Sequence, residues 1–80
     1  MPRALEINGY IFHFFSFDCS ERTHIHMKKG EGTGKIWLRP EMEVFYMKDF
    51  KSQEIRQILK LVEENRGKLI EKWDAYCNNR

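Results

Sequence analysis

Eighty residues, 41% of them hydrophobic and 14% aromatic, are too few for two cores but rich enough to fold around one. Fourteen Lys and Arg against twelve Asp and Glu give a formal net charge of +2, a near balance that argues against disorder and is too small to announce a nucleic-acid binder by itself. No apolar run reaches the length of a signal-peptide core or a membrane span, so the expected location is the cytoplasm, and Cys19 and Cys77, in no CxxC spacing, are expected to be free thiols.

Ala4 to Asn8 and Tyr10 to Phe17 are strand-forming runs separated by Asn8-Gly9, the pair best suited to the positive φ angles of a tight hairpin. The second run is apolar on both faces, with Tyr10, Phe12 and Phe14 on one and Ile11, Phe15 and Phe17 on the other, which marks a central strand. After the polar stretch Asp18 to Thr23, His24-Ile25-His26-Met27-Lys28 alternates polar with apolar, and Lys35-Ile36-Trp37-Leu38-Arg39 does the same. Lys29-Gly30-Glu31-Gly32-Thr33-Gly34 between them reads as a hairpin loop. With Lys28 opposite Lys35, His26 faces Trp37 and His24 faces Arg39; a two-residue slip changes partners but not faces. One face then carries His24, His26, Lys28, Lys35, Trp37 and Arg39 and is expected to meet solvent. The other carries Ile25, Met27, Ile36 and Leu38 and is expected to seat a helix.

Pro40 closes the fourth strand, and Met42 to Met47 gives a fifth. Ser52 is the expected helix N-cap, with Glu54 in the first turn near the positive end of the helix dipole. Ile55, Ile58, Leu59, Val62, Leu69, Trp73 and Tyr76 then recur on one helical face. The predicted fold is therefore α+β in a single domain over 1–80: an antiparallel sheet of four to five strands over 1–49, covered on one face by one long C-terminal helix over 52–77. Such a helix measures about 39 Å, against roughly 30 Å for a compact chain of this size. Its last turns are expected to project past the sheet and to offer Trp73 and Tyr76 to a partner, because a lone Gly67 does not by itself kink a helix.

Between Arg22 and Arg39 five basic residues stand against one acid, Glu31, and this stretch contains the histidines. His24 and His26, two apart in a strand, point the same way with Cα atoms roughly 7 Å apart. Imidazole exchanges protons near neutrality, so the pair is the candidate catalytic acid and base. Lys28, Lys35 and Arg39 are the candidate phosphate contacts, and Trp37 the candidate stacking surface for an unpaired base. Other readings stay open. The histidines can simply keep an exposed strand polar, or Cys19, His24 and His26 can offer three ligands to zinc, with no fourth in view. Trp37 can anchor a protein contact, and His13, on the face of Ile11 and Phe15, reads as a core or interface residue. No metal or other cofactor is called for.

These residues resemble, over essentially the whole chain, the small bacterial family catalogued as domain of unknown function 4160. The matching pieces are Asn8-Gly9-Tyr10, the aromatic run Phe12 to Phe17, Glu21 before His24-Ile25-His26, Lys35-Ile36-Trp37-Leu38 with Pro40, and Ile58-Leu59 through Glu64-Asn65-Arg66 to Trp73 and Tyr76. Family members usually carry two prolines where this chain has Arg22-Thr23, so the approach to the histidine strand is less rigid here. The resemblance implies a toxin-like component of a bacterial type II toxin–antitoxin module, paired with a cognate antitoxin, often of the family called domain of unknown function 2442. On that footing the chain is expected to act on nucleic acid, RNA before DNA, with ribonuclease-like chemistry from the histidine pair. The competing expectation is a non-catalytic binding module, an antitoxin or repressor partner. Self-association stays open, and no membrane is involved.

Overall fold

The computed structural model describes residues 3–15 and 19–78. The strands β1 (Arg3–Ile7), β2 (Tyr10–His13), β3 (His24–Lys29), β4 (Gly32–Trp37) and β5 (Glu43–Lys48) form one antiparallel meander in chain order, and the helix α1 (Ser52–Asn78) follows. The α+β class is the one predicted. Asn8 and Gly9 turn between β1 and β2 with φ angles of 53° and 84°. β2 pairs with β3 only from Ile11 opposite Lys28 to His13 opposite His26, shorter than the expected run to Phe17; positions 16–18 lie outside the described residues.

β3 and β4 pair two residues out of the register first expected, with His24 opposite Trp37, His26 opposite Lys35 and Lys28 opposite Thr33. The faces are unchanged. The slip follows from Gly32 and Gly34, which stand inside β4 rather than in the loop, so that the turn shrinks to Gly30-Glu31. Neighbours occupy the space their side chains would need: a Cβ on Gly32 would lie 2.3 Å from the Phe50 ring, and one on Gly34 would lie 2.6 Å from the Met27 sulfur.

The core fills the space between the sheet and α1. Tyr10, Phe12, Ile25, Met27, Ile36 and Leu38 face Ile58, Val62, Leu69 and Trp73 of the helix, all of them buried. Tyr10 donates its hydroxyl to Gln57 Oε1 at 3.3 Å, and burial, helped by the charge of Glu54, raises its pKa above the usual 10.0. The helix cap falls one residue before the expected Ser52. The Lys51 carbonyl accepts the first helical bond from Ile55 N–H, and Lys51 N–H donates back to the Glu54 carboxylate at 2.8 Å, one half of a capping box. Arg66 ties the middle of α1 to the end of β4, donating to the Leu38 carbonyl at 2.8 Å and the Pro40 carbonyl at 3.1 Å.

Two expectations are corrected at the far end of α1. The helix is continuous through Gly67 and runs the length of a molecule 36 × 24 × 19 Å in extent, yet its last turns do not project. Trp73 is 4% exposed, its ring 5.7 Å from Phe14 and 5.1 Å from His24, and half-buried Tyr76 stacks on Phe14 at 5.6 Å. Both rings are spent on packing inside the chain, against Phe14 and His24. Cys19 and Cys77 form a disulfide with Cα atoms 5.5 Å apart, so the expectation of two free thiols does not hold. A separation of 58 residues gave no hint of that proximity.

Candidate functional site

Opposite α1, the sheet carries three cross-strand rows of side chains. The pairings align Ile11, Lys28, Thr33 and Lys48 in one, His13, His26, Lys35 and Tyr46 in the next, and His24, Trp37 and Glu43 in the third. A directly opposed pair sits only about 5 Å apart on one face, so the rows bring their rings into contact. His13 stacks on His26 at 5.5 Å with planes 14° apart, and Phe15 meets His26 edge-on at 4.8 Å. His26 meets His24 at 4.9 Å, His24 meets Trp37 at 5.4 Å, and Trp37 meets Phe45 at 5.4 Å. All three histidines of the chain thus join one continuous array of rings.

Two of the cations on this face are held over its rings. Lys35 places its ammonium 4.6 Å from the Trp37 ring and 4.9 Å from Phe45, and Glu21 accepts from it at 2.9 Å. Arg22 lies 5.1 Å from the same tryptophan, forms an ion pair with Glu43 at 3.1 Å and donates to the carbonyls of Arg39 and Glu41. Trp37 is therefore flanked by two cations, whose attraction to its π faces fixes the ring. Lys28 makes no ion pair among the described residues. It lines a groove of about 230 Å³ with His13, Phe15, His26, Thr33 and Tyr46.

Of the residues expected to act together, the structure leaves His26, Lys28, Lys35 and Trp37 partly exposed on this face, buries His24 beneath the same ring array and engages Arg39 elsewhere. His24 is fully buried between Trp37 and Trp73, which corrects the expectation that both imidazoles project into solvent. Its Nδ1 stands 2.7 Å from the Arg22 carbonyl, which can only accept, so Nδ1 carries the proton. Trp73 reaches His24 at the end of the sheet where the pairing of β2 has stopped. Arg39 is occupied as well: its guanidinium donates to both carboxylate oxygens of Asp74 at 3.3 and 2.8 Å and to the Thr23 hydroxyl at 3.1 and 2.7 Å, joining β4 to α1. Cys19 is taken by its disulfide, and the described residues contain no group of three ligating side chains that could hold a metal. Asn65 donates to the Leu61 carbonyl in its own helix at 2.8 Å.

The sequence reading missed His13, Phe15, Thr33 and Tyr46 as groove residues. A signal was available for two of them, since His13 and Phe15 share strand parity, but only the β2 to β3 register sets that parity beside His26. Tyr46 needed the β4 to β5 register, which contains an irregularity.

Geometry and chemistry together define a small open-faced sheet domain: one side sealed by a helix, the other a surface of rings and cations. The family model described as Domain of unknown function (DUF4160) matches residues 9–74, most of the chain, and the protein belongs to that family. Neither the curated proteins nor the solved structures hold a match to it.

Proposed function

We propose that the protein binds single-stranded RNA on the uncovered face of its sheet and serves as the RNA-directed, toxin-like member of a toxin–antitoxin pair. The observation that carries the reading is the ring array itself, Phe15, His26, Trp37, Phe45 and Tyr46 interleaved with Arg22, Lys28 and Lys35. Unpaired bases stack on such a surface whatever their sequence, and cations beside it meet the phosphates. Lys28, which makes no ion pair among the described residues, is the first phosphate contact. Proton transfer on this face falls to His26, because His24 is fully buried and His13 is only 5% exposed.

Fluorescence anisotropy with a labelled single-stranded RNA tests binding. The native chain is expected to bind with an affinity that falls as salt rises, and Phe45→Ala is expected to weaken it about tenfold, the scale of one lost base stack. Affinity unchanged by Phe45→Ala and Lys28→Ala together would remove the face from the account. Incubating the RNA with native and His26→Ala protein separates cleavage from binding. Induced expression with and without a cognate antitoxin tests the toxin role, which predicts growth arrest only when the antitoxin is absent.

A further inference from the structure

β5 forms one edge of the sheet, and it is the most exposed strand, with Val44, Phe45 and Tyr46 at 41%, 59% and 40% of full exposure. Its pairing with β4 skips a residue. Tyr46 lies opposite Lys35 and Val44 opposite Ile36, so Phe45 is the extra residue of a bulge. The bulge changes which side chains share a face. Glu43 lies opposite Trp37 and Lys48 opposite Thr33, on the uncovered face. Val44 lies opposite buried Ile36 and Met47 opposite Gly34, on the helix face. Tyr46 lines the groove and Phe45 touches Trp37 and Lys35, so both belong to the uncovered face.

Read from Glu43 to Lys48, the faces therefore run uncovered, helix, uncovered, uncovered, helix, uncovered, the same in either direction. A regular strand alternates strictly and has no such symmetry about a point between two residues. The chemistry is symmetric as well. If the strand is laid antiparallel on a copy of itself about the midpoint of Phe45 and Tyr46, Glu43 falls opposite Lys48, Val44 opposite Met47, and Phe45 opposite Tyr46. At both ends an acid, Glu43, whose side chain is 61% exposed and engages Arg22 through one carboxylate oxygen, meets a base, and apolar groups meet apolar groups between them. Opposite charges and aromatic pairs directly across two strands are the combinations that stabilise a sheet.

We infer that β5 is the docking edge for a second copy of this chain, forming a two-fold dimer whose two sheets run on as one across the antiparallel β5 strands. Bulges commonly protect an edge against stray pairing, and this one refuses an ordinary alternating strand while accepting a strand with the same bulge. Closed two-fold pairing also removes both copies of this edge from further association. The inference stands apart from the RNA reading, since it uses only the symmetry and charge of β5. Its consequence for that reading is that Phe45 and Tyr46 of both copies meet on the uncovered face, setting two grooves beside one seam.

Sedimentation equilibrium of the full chain tests it. The native protein is expected to dimerise, Lys48→Glu to raise the dissociation constant about tenfold by setting like charges opposite at two places, and Glu43→Lys with Lys48→Glu to restore it to within about threefold. Phe45→Lys, at a position 59% exposed, is expected to leave a folded monomer, with thermal melting at low concentration as the check on folding. A native chain that stays monomeric up to its solubility limit, a dimer indifferent to Lys48→Glu, or a charge exchange that fails to restore pairing would each overturn the proposal.

Discussion

The two faces of the sheet both carry large apolar and aromatic side chains, yet they hold them differently. Toward α1, Tyr10, Phe12, Ile25, Ile36 and Leu38 are at most 1% exposed. On the opposite face His26, Trp37, Phe45 and Tyr46 touch one another and a few cations, and Phe45 and Tyr46 remain exposed. Burial holds the first set, and removing one of its members leaves a cavity. Edge contacts and cation attraction order the second, which keeps surface available for a ligand. Under the proposed RNA-binding role, stability and recognition fall to opposite sides of a sheet one residue thick.

Substitution can break that division. Ile36→Ala, which empties a site with no exposed surface, is expected to cost about 2–5 kcal/mol in urea unfolding, enough to threaten a domain of this size. Phe45→Ala on the other side is expected to change stability by less than about 0.5 kcal/mol while weakening RNA binding. Equal losses at the two sites would erase the distinction. The disulfide sharpens the same contrast, because it pins Cys19 to the end of the helix that seals the core. Closing a loop of this length is worth about 4 kcal/mol in the chain-entropy account, so Cys19→Ser with Cys77→Ser, or a thiol reductant, is expected to lower the melting temperature substantially.

Smaller effects are expected away from both faces. A Cβ on Gly67 would touch nothing within 4 Å, so Gly67→Ala is expected to stabilise the chain by about 1 kcal/mol in the same unfolding experiment. Tyr10 supplies a pH dependence. Its pKa is raised in the folded protein, so the unfolded chain releases the phenolic proton first; stability is unaffected below about pH 10 and falls above it. Tyr10→Phe is expected to flatten that alkaline decline, read from melting temperatures across the alkaline range.

The sequence was most legible where a short pattern determines a local structure. Asn8-Gly9 marked its turn, the alternation in His24 to Lys28 and Lys35 to Trp37 assigned the correct faces, and the stripe from Ile55 to Tyr76 located the helix nearly to the residue. What stayed hidden depends on contacts between distant segments. The β3 to β4 register turned on whether Gly32 and Gly34 were loop residues, and that is decided by Phe50 and by the two methionine sulfurs, Met27 and Met47, that crowd Gly34. Burial of His24 depends on Trp73 arriving from a helix nearly fifty residues on, and the Cys19 to Cys77 bond on the same meeting. The candidate site was legible in part: alternation found His26, Lys28, Lys35 and Trp37, whereas His13 and Tyr46 join the groove only through pairing with neighbouring strands.

Amide and indole chemical shifts, followed as a single-stranded RNA is added to the isotope-labelled chain, test the division of labour between the faces most directly. The account predicts changes concentrated at His26, Lys28, Thr33, the Trp37 indole, Phe45 and Tyr46, with Ile58, Val62 and Leu69 of the helix unmoved. Shifts confined to the helix, or none at saturating RNA, would contradict it.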